Sequence, residues 1–170
     1  MKEERDEEQF DIEEEDTQQN RYLTFHLGDE DYGISIANII EIVGIQKVTE
    51  VPDMPDFLKG VINLRGQVIP VIDVRKRFQM EERAYDDRTC VIVIKVRELS
   101  VGLIVDTVSE VREISDDCVS QAPSIGDSTN GRYIAGLGKV GTEVKILLDV
   151  EKLLFDKEWS ELELQPGTTT

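Results

Sequence analysis

The chain has 170 residues, with 36 acidic against 19 basic side chains and a formal net charge of -17. A field of that sign repels phosphate backbones and anionic lipid, so nucleic acid is excluded as an expected partner. No stretch approaches the roughly 18 apolar residues of a membrane span, and the acidic start is the opposite of a signal peptide's basic n-region; the expected place is the cytosol, without direct membrane insertion.

Residues 1 to 20 hold ten acids against Lys2 and Arg5, a local net charge of -8, with only Phe10 and Ile12 as large apolar groups. Such a segment cannot bury enough surface to offset its ordering entropy, so residues 1–19 are expected to form a disordered acidic tail. Arg21 to Leu27 alternates apolar with other residues, Gly28-Asp29-Glu30 interrupts, and Tyr32 to Ile36 resumes, which is a hairpin pattern. Short β-branched runs follow at 39–43, 60–64, 68–72, 89–96, 100–105, 108–114, 134–140 and 144–148, each bounded by turn residues. Helix signals are confined to Asp73 to Phe78 and Asp149 to Phe155, each opened by a capping aspartate, and to Asp156 to Leu164, stopped by Pro166-Gly167. Strands at short spacing without long intervening helices predict an all-β chain of small antiparallel barrels.

The text of the chain repeats. Gly33 to Ile42 aligns with Gly102 to Val111 without a gap, and Gly60 to Phe78 aligns with Gly136 to Leu154. Copies of this size are marginal alone, so the halves are expected to share apolar surface. The polar run from Met80 to Asp87 suggests a first barrel over 20–86 and a second over 87–155, with a C-terminal helix and frayed tail over 156–170. A polar insertion from Ser115 to Gly131, with Pro123, Gly126 and Asn130-Gly131, is expected to loop. One element does not repeat: Asn63-Leu64-Arg65-Gly66 is answered by Lys139-Val140-Gly141-Thr142.

Most candidate chemistry fails on context. Gly136 to Gly141 matches G-x-G-x-x-G, yet the dinucleotide site needs a helix immediately afterwards, and Thr142 to Leu148 reads as a strand. His26 is the single histidine and is expected at a solvent-facing strand position; nothing near it supplies a nucleophile. Asp73 and Asp149 read as helix caps rather than a catalytic pair. Cys90 and Cys118 are too few for a disulfide framework and lack zinc spacing; no metal or cofactor is expected. Asn63-Leu64-Arg65-Gly66 differs, because an arginine at a hairpin tip offers a planar five-donor fork to a partner's carboxylates or carbonyls. The residues leave open whether that fork meets a partner or pairs within the chain, with Glu41.

Tyr32-Gly33-Ile34-Ser35-Ile36 with Glu41-Ile42, Gly60 to Arg75, Val101 to Asp106, Gly136-Leu137-Gly138 and Glu151 to Leu154 closely resemble, in order, the CheW family of bacterial chemotaxis coupling proteins. The resemblance covers about residues 20 to 156. It implies two tandem five-stranded Src-homology-3-like barrels around a shared hydrophobic seam, with short helices after each signature strand. It implies no catalysis and no cofactor, but bridging of the cytoplasmic tips of methyl-accepting chemoreceptors to the histidine kinase CheA, with other CheW-like proteins joining in rings. By resemblance the receptor contacts are Arg65 above all, with Asn63, Leu64, Gly66, Ile39 and Glu41, whereas Gly60 is a backbone requirement of the fold. The kinase contacts are placed around Val48, Pro52 and Met54, where the prolines favour an exposed docking loop. Two alternatives stand beside this reading: a CheW-like adaptor of another chemosensory array, and a small-molecule-binding protein using the seam as its pocket. CheA itself and the related CheV carry additional domains for which 170 residues leave no room.

Overall fold

The computed structural model describes residues 20–121 and 133–155. The acidic tail 1–19, the expected loops at Pro123, Gly126 and Asn130-Gly131, and the C-terminal helix expected over Asp156 to Leu164 lie outside the described residues. In chain order the strands are β1 (Arg21–Leu27), β2 (Glu30–Ser35), β3 (Ile39–Gly44), β4 (Leu58–Leu64), β5 (Gln67–Asp73), β6 (Cys90–Val96), β7 (Leu99–Val105), β8 (Thr107–Glu113), β9 (Val119–Ser120), β10 (Ile134–Val140) and β11 (Glu143–Leu148). Helices α1 (Val74–Arg77) and α2 (Val150–Leu154) follow β5 and β11. Each is opened by its aspartate: Asp73 accepts from the Arg75 amide at 3.0 Å, and Asp149 from the Lys152 amide at 3.1 Å. Capping, as expected from the sequence, is what these carboxylates do.

Two mixed sheets result, ordered β8-β1-β2-β11-β10-β9 and β3-β6-β7-β5-β4. The edges of the five-stranded sheet are drawn together where Thr49, beyond β3, exchanges backbone bonds of 2.8 and 2.9 Å with Val61 of β4. In the six-stranded sheet the edges β8 and β9 are consecutive strands joined through the turn Asp116–Cys118. The two-residue β9 makes this sheet six-stranded where five strands were expected.

The boundary expected at Met80 to Asp87 is not where the sheets divide. The five-stranded sheet draws on residues 39–105, and the six-stranded sheet combines residues 21–35 with 107–148. In repeat terms, each copy's leading hairpin (β1-β2 or β6-β7) has crossed into the other copy's sheet, where it pairs in parallel: β2 beside β11 and β7 beside β5. Burial gives the reason. In β6 the run Val91 to Ile94 is buried without interruption, and so is Val101 to Val105 in β7, so that hairpin needs cover on both faces. One face meets Ile62, Leu64, Ile69 and Val71 of its own sheet. The other meets Leu23, Phe25, Leu27 and Ile34 of the six-stranded sheet, together with Leu148, Leu153 and Leu154. That second cluster is the expected shared seam, and each aliphatic fully buried there contributes about 1.5–3 kcal/mol.

Polar bonds pin the exchanged hairpins. Asp106 is the single residue between β7 and β8, and it stands where the chain leaves one sheet for the other. Its carboxylate accepts from Arg75 Nε at 2.7 Å and Nη2 at 2.6 Å, from the Gly28 amide in the β1-β2 turn at 2.9 Å, and from Arg83 at 3.1 Å. Burial pushes this carboxyl up, but the bonds from Arg75, Gly28 and Arg83 outweigh it and hold it below the usual carboxylate range. At the equivalent place, Arg97 in the β6-β7 turn bonds Glu151 of α2 at 2.6 Å and lies 4.5 Å from the Phe155 ring. Between the halves, the Arg77 guanidinium is held between Phe57 (4.2 Å) and Tyr133 (4.8 Å).

Candidate functional site

β4 and β5 meet in a two-residue turn, Arg65-Gly66, flanked by the pair Leu64 and Gln67. Both turn residues have positive φ, 52° at Arg65 and 85° at Gly66, as a type I′ hairpin requires. Glycine meets that demand freely; arginine does not, and an L-residue held there carries about 1–2 kcal/mol of backbone strain. Asn63 steadies the turn by accepting from the Gly66 amide at 2.9 Å. The result is a guanidinium fork held at a loop tip, its side chain 71% exposed.

Arg65 pairs with Glu41 of β3. Beneath the pair is a recess of about 260 Å³ at one open end of the five-stranded sheet's core, walled by Ile40, Leu64, Ile69, Val93 and Ser100. Four of the residues expected from sequence therefore converge on the turn, Asn63, Leu64, Arg65 and Gly66, and Glu41 reaches them from β3. Leu64 is buried, so it supports the site from below rather than presenting itself. Ile39 does not join them. Its side chain packs on the opposite face, against the seam, because a register shift between Ile39 and Glu41 breaks the alternation of β3 and sets Ile39 opposite Ile94.

Sequence reasoning missed Ile40, Ile42 and Val68, which are large, apolar and exposed beside the turn, at 51%, 42% and 65%. The signal was present: Ile39-Ile40-Glu41-Ile42-Val43 has four apolar residues in five, and an edge strand with one covered face must expose some of them. Val48 is half-buried against the five-stranded sheet's core, while Pro52 and Met54 are exposed on the loop between β3 and β4. This second group lies on its own loop and shares none of the recess lining. Gly60 is fixed by sterics: at φ 152°, a Cβ there would sit 2.1 Å from the Thr49 carbonyl oxygen.

The equivalent mouth in the other half is built differently. Ile69 becomes Lys145, Arg65 becomes Gly141, and Val93 becomes Thr24. Lys145 is buried and bonded to Asp31 and to Glu143, the latter at 2.9 Å. Burial pulls this ammonium down, and the two carboxylates outweigh that and hold it above its ordinary value. His26, half-exposed, pairs with the same Asp31. One half thus offers an open recess with an arginine on its rim, and the other sets Lys145, paired with Asp31 and Glu143, at the same place.

The glycine fingerprint from Gly136 to Gly141 lies in β10 and its turn and leads into strand β11, so the helix a pyrophosphate needs is missing there. Among the described residues, no three His, Cys, Asp or Glu side chains are grouped to hold a metal ion, and no helix is long and apolar enough to cross a membrane.

The CheW-like domain model matches residues 21–158, nearly all of the described chain. The chain belongs to the CheW family. Family members of known name are similar along most of their length. A chemotaxis protein CheW of Klebsiella aerogenes is 42% identical over 137 residues, 81% of this chain and 82% of that one. Another from Treponema pallidum is 33% identical over 149 residues, 85% and 88%. In structure, the scaffolding protein TtCheW from Thermoanaerobacter tengcongensis superimposes with a TM-score of 0.75 at 31% identity, covering 82% of this chain and 94% of that one. The all-β fold and the family expected from sequence are those of these relatives.

Proposed function

We propose that this chain is a non-catalytic chemotaxis adaptor that couples the cytoplasmic tips of methyl-accepting chemoreceptors to the histidine kinase CheA. In this role it works on the cytoplasmic face, recruited to membrane-associated receptor arrays. The observation that carries the reading is the Arg65 turn: a strained, exposed fork over a recess of mixed polar and apolar lining, the arginine present in one half and replaced by Gly141 at the equivalent place in the other. A helical receptor tip would set apolar side chains against Ile40, Ile42 and Val68 and offer acceptors to Arg65, with Glu41 orienting the guanidinium. The loop bearing Pro52 and Met54, braced by Val48, would take the kinase; the two partners then occupy different places and bind together.

No phosphate needs to pass through the chain. A body that binds both partners turns a receptor's conformational bias into a shift of the kinase population, with coupling free energies of about 1–3 kcal/mol. The test is CheA autophosphorylation in receptor-containing membranes, without the chain, with it, and with Arg65→Glu. Wild type is expected to raise kinase activity and make it attractant-sensitive, and Arg65→Glu to do neither. If wild type leaves its own receptors and kinase uncoupled, the adaptor assignment is wrong.

A further inference from the structure

The two halves meet at one buried point that the repeat leaves unequal. Phe57 and Tyr133 hold the same place in the two copies, three residues ahead of Gly60 and Gly136. Each gives its carbonyl to the amide of a capping aspartate, Phe57 to Asp73 at 2.9 Å and Tyr133 to Asp149 at 2.8 Å. Arg77 ends α1, and its counterpart in α2 is Leu153. The Arg77 guanidinium is buried, 4.2 Å from the Phe57 ring and 4.8 Å from the Tyr133 ring. Its Nε donates to the carbonyl of Leu153 itself at 3.3 Å. A planar cation is attracted to both ring faces, more strongly out of water than in it.

These contacts join parts of the molecule that are far apart in sequence. Phe57 closes the loop between β3 and β4, the loop of Pro52 and Met54. That loop is fastened at its start where Thr49 pairs with Val61, and at its end where the Leu58 amide bonds Pro55 at 3.0 Å and Phe57 is buried in the seam. Tyr133, just ahead of β10, belongs to the other half. It stacks on Phe78 at 5.8 Å, which packs in turn on Tyr32 of β2 at 5.6 Å. Leu153 offers one of the carbonyls that the end of α2 leaves without a helical partner. Arg77 thus reaches from the end of the loop to the six-stranded half through a ring, and to α2 through a carbonyl.

We propose that Arg77 is a positioning residue: it fixes the loop bearing Pro52 and Met54 against the six-stranded half, so that a partner docked on that loop is held in one orientation relative to the whole molecule. Leucine fills the equivalent place in the other copy, but it packs without direction, whereas the guanidinium's donor and flat face each set one. The positioning is a property of the isolated chain; its consequence for the kinase rests on the reading above.

Arg77→Leu puts into the first copy the residue that the second copy uses. Replacing a buried cation by a well-packed apolar side chain is often neutral for the fold, so the expected loss is local. Amide hydrogen exchange of the full chain, without any partner, reads it. The Leu58 amide, bonded to Pro55, and the Asp73 amide, bonded to Phe57, should exchange about tenfold faster, while Val93 and Ile94 in β6 keep the wild-type rate. Tyr133→Leu, in the other half, should free the same two amides, because it removes the wall against which Arg77 is held; should Arg77→Leu not fold, this variant carries the test alone. If the loop is then correctly placed a tenth of the time, CheA should bind Arg77→Leu about tenfold more weakly, and receptor-containing membranes should bind it as tightly as wild type. Wild-type exchange at Leu58 and Asp73 in either variant overturns the proposal, and so does faster exchange that spreads equally to β6. Faster exchange at the two amides with unchanged CheA affinity leaves the positioning standing and refutes the loop as the kinase's site.

Discussion

Replacing Arg65 by asparagine separates what the turn needs from what a partner needs. Arg65 holds φ at 52° in front of Gly66, and asparagine occupies this region far more readily, giving the Asn-Gly pair that type I′ hairpins favour. The backbone term favours the variant by up to about 1–2 kcal/mol. Against it stands the ion pair with Glu41, whose arginine is 71% exposed; solvent screening limits its worth to about 0–1 kcal/mol. The two terms nearly cancel, so Arg65→Asn should unfold in urea within about 1 kcal/mol of wild type, on the stable side if either. Coupling of receptors to kinase should nevertheless be lost, because the fork is gone. Loss of more than about 1.5 kcal/mol would refute the claim that the turn carries backbone strain. Full stability with full coupling would refute Arg65 as a contact.

Gly60→Ala should cost about 2–4 kcal/mol in urea denaturation, since the new methyl meets the Thr49 carbonyl at 2.1 Å and breaks the bond pair joining the edges of the five-stranded sheet. Asp106→Asn should lower stability at neutral pH and flatten its loss in acid. The folded carboxyl titrates below the unfolded value of about 3.9, so its contribution is whole above that pH and disappears as pH falls through the folded pKa; denaturation midpoints of the two proteins from pH 7 down to 2 should converge. Tyr85→Phe should cost about 1–2 kcal/mol, because the phenol donates at 2.8 Å to Asp73, whose other oxygen caps α1; calorimetry checks this. Val68→Asp, at a site 65% exposed, should leave the melting temperature unchanged while weakening receptor binding in a pull-down.

The strands were legible because the β-branched runs and their turn residues are local signals, and the expected 68–72 and 134–140 fall within β5 and on β10. The Asp73 and Asp149 caps were legible for the same reason. Which sheet each hairpin joins was not local. Pairing partners are chosen by how much surface a hairpin covers on both faces, and the polar run at 80–87 marks only a surface crossing. The uninterrupted apolar runs in β6 and β7 carried the relevant information, since a strand without alternation belongs in a sheet's middle. At the site, the Arg65 turn was visible as the one segment the repeat failed to copy. Ile39 was grouped with Glu41 because the register shift that sends their side chains to different faces leaves no mark in the sequence.

The exchange of hairpins bears directly on how an adaptor transmits a bias. Were the halves independent barrels joined at 80–87, a partner on one could swing it without moving the other. Instead β6 and β7 are the central strands of the sheet that carries Arg65, and they continue through Asp106 into β8, an edge of the other sheet. Asp106 holds Arg75, Arg83 and the Gly28 turn at that crossing, and Arg97 with Glu151 does the same at the far end. Rotating one half against the other would break the buried Asp106–Arg75 pair, and an uncompensated buried charge of this kind costs about 3–5 kcal/mol, to which the exposed Arg97–Glu151 pair adds at most about 1 kcal/mol. That exceeds the 1–3 kcal/mol typical of coupling between sites. The chain is therefore held as one body: on the reading proposed above, a receptor bound at the Arg65 end would carry the loop bearing Pro52 and Met54 with it, and relative motion would be left to the interfaces with its partners.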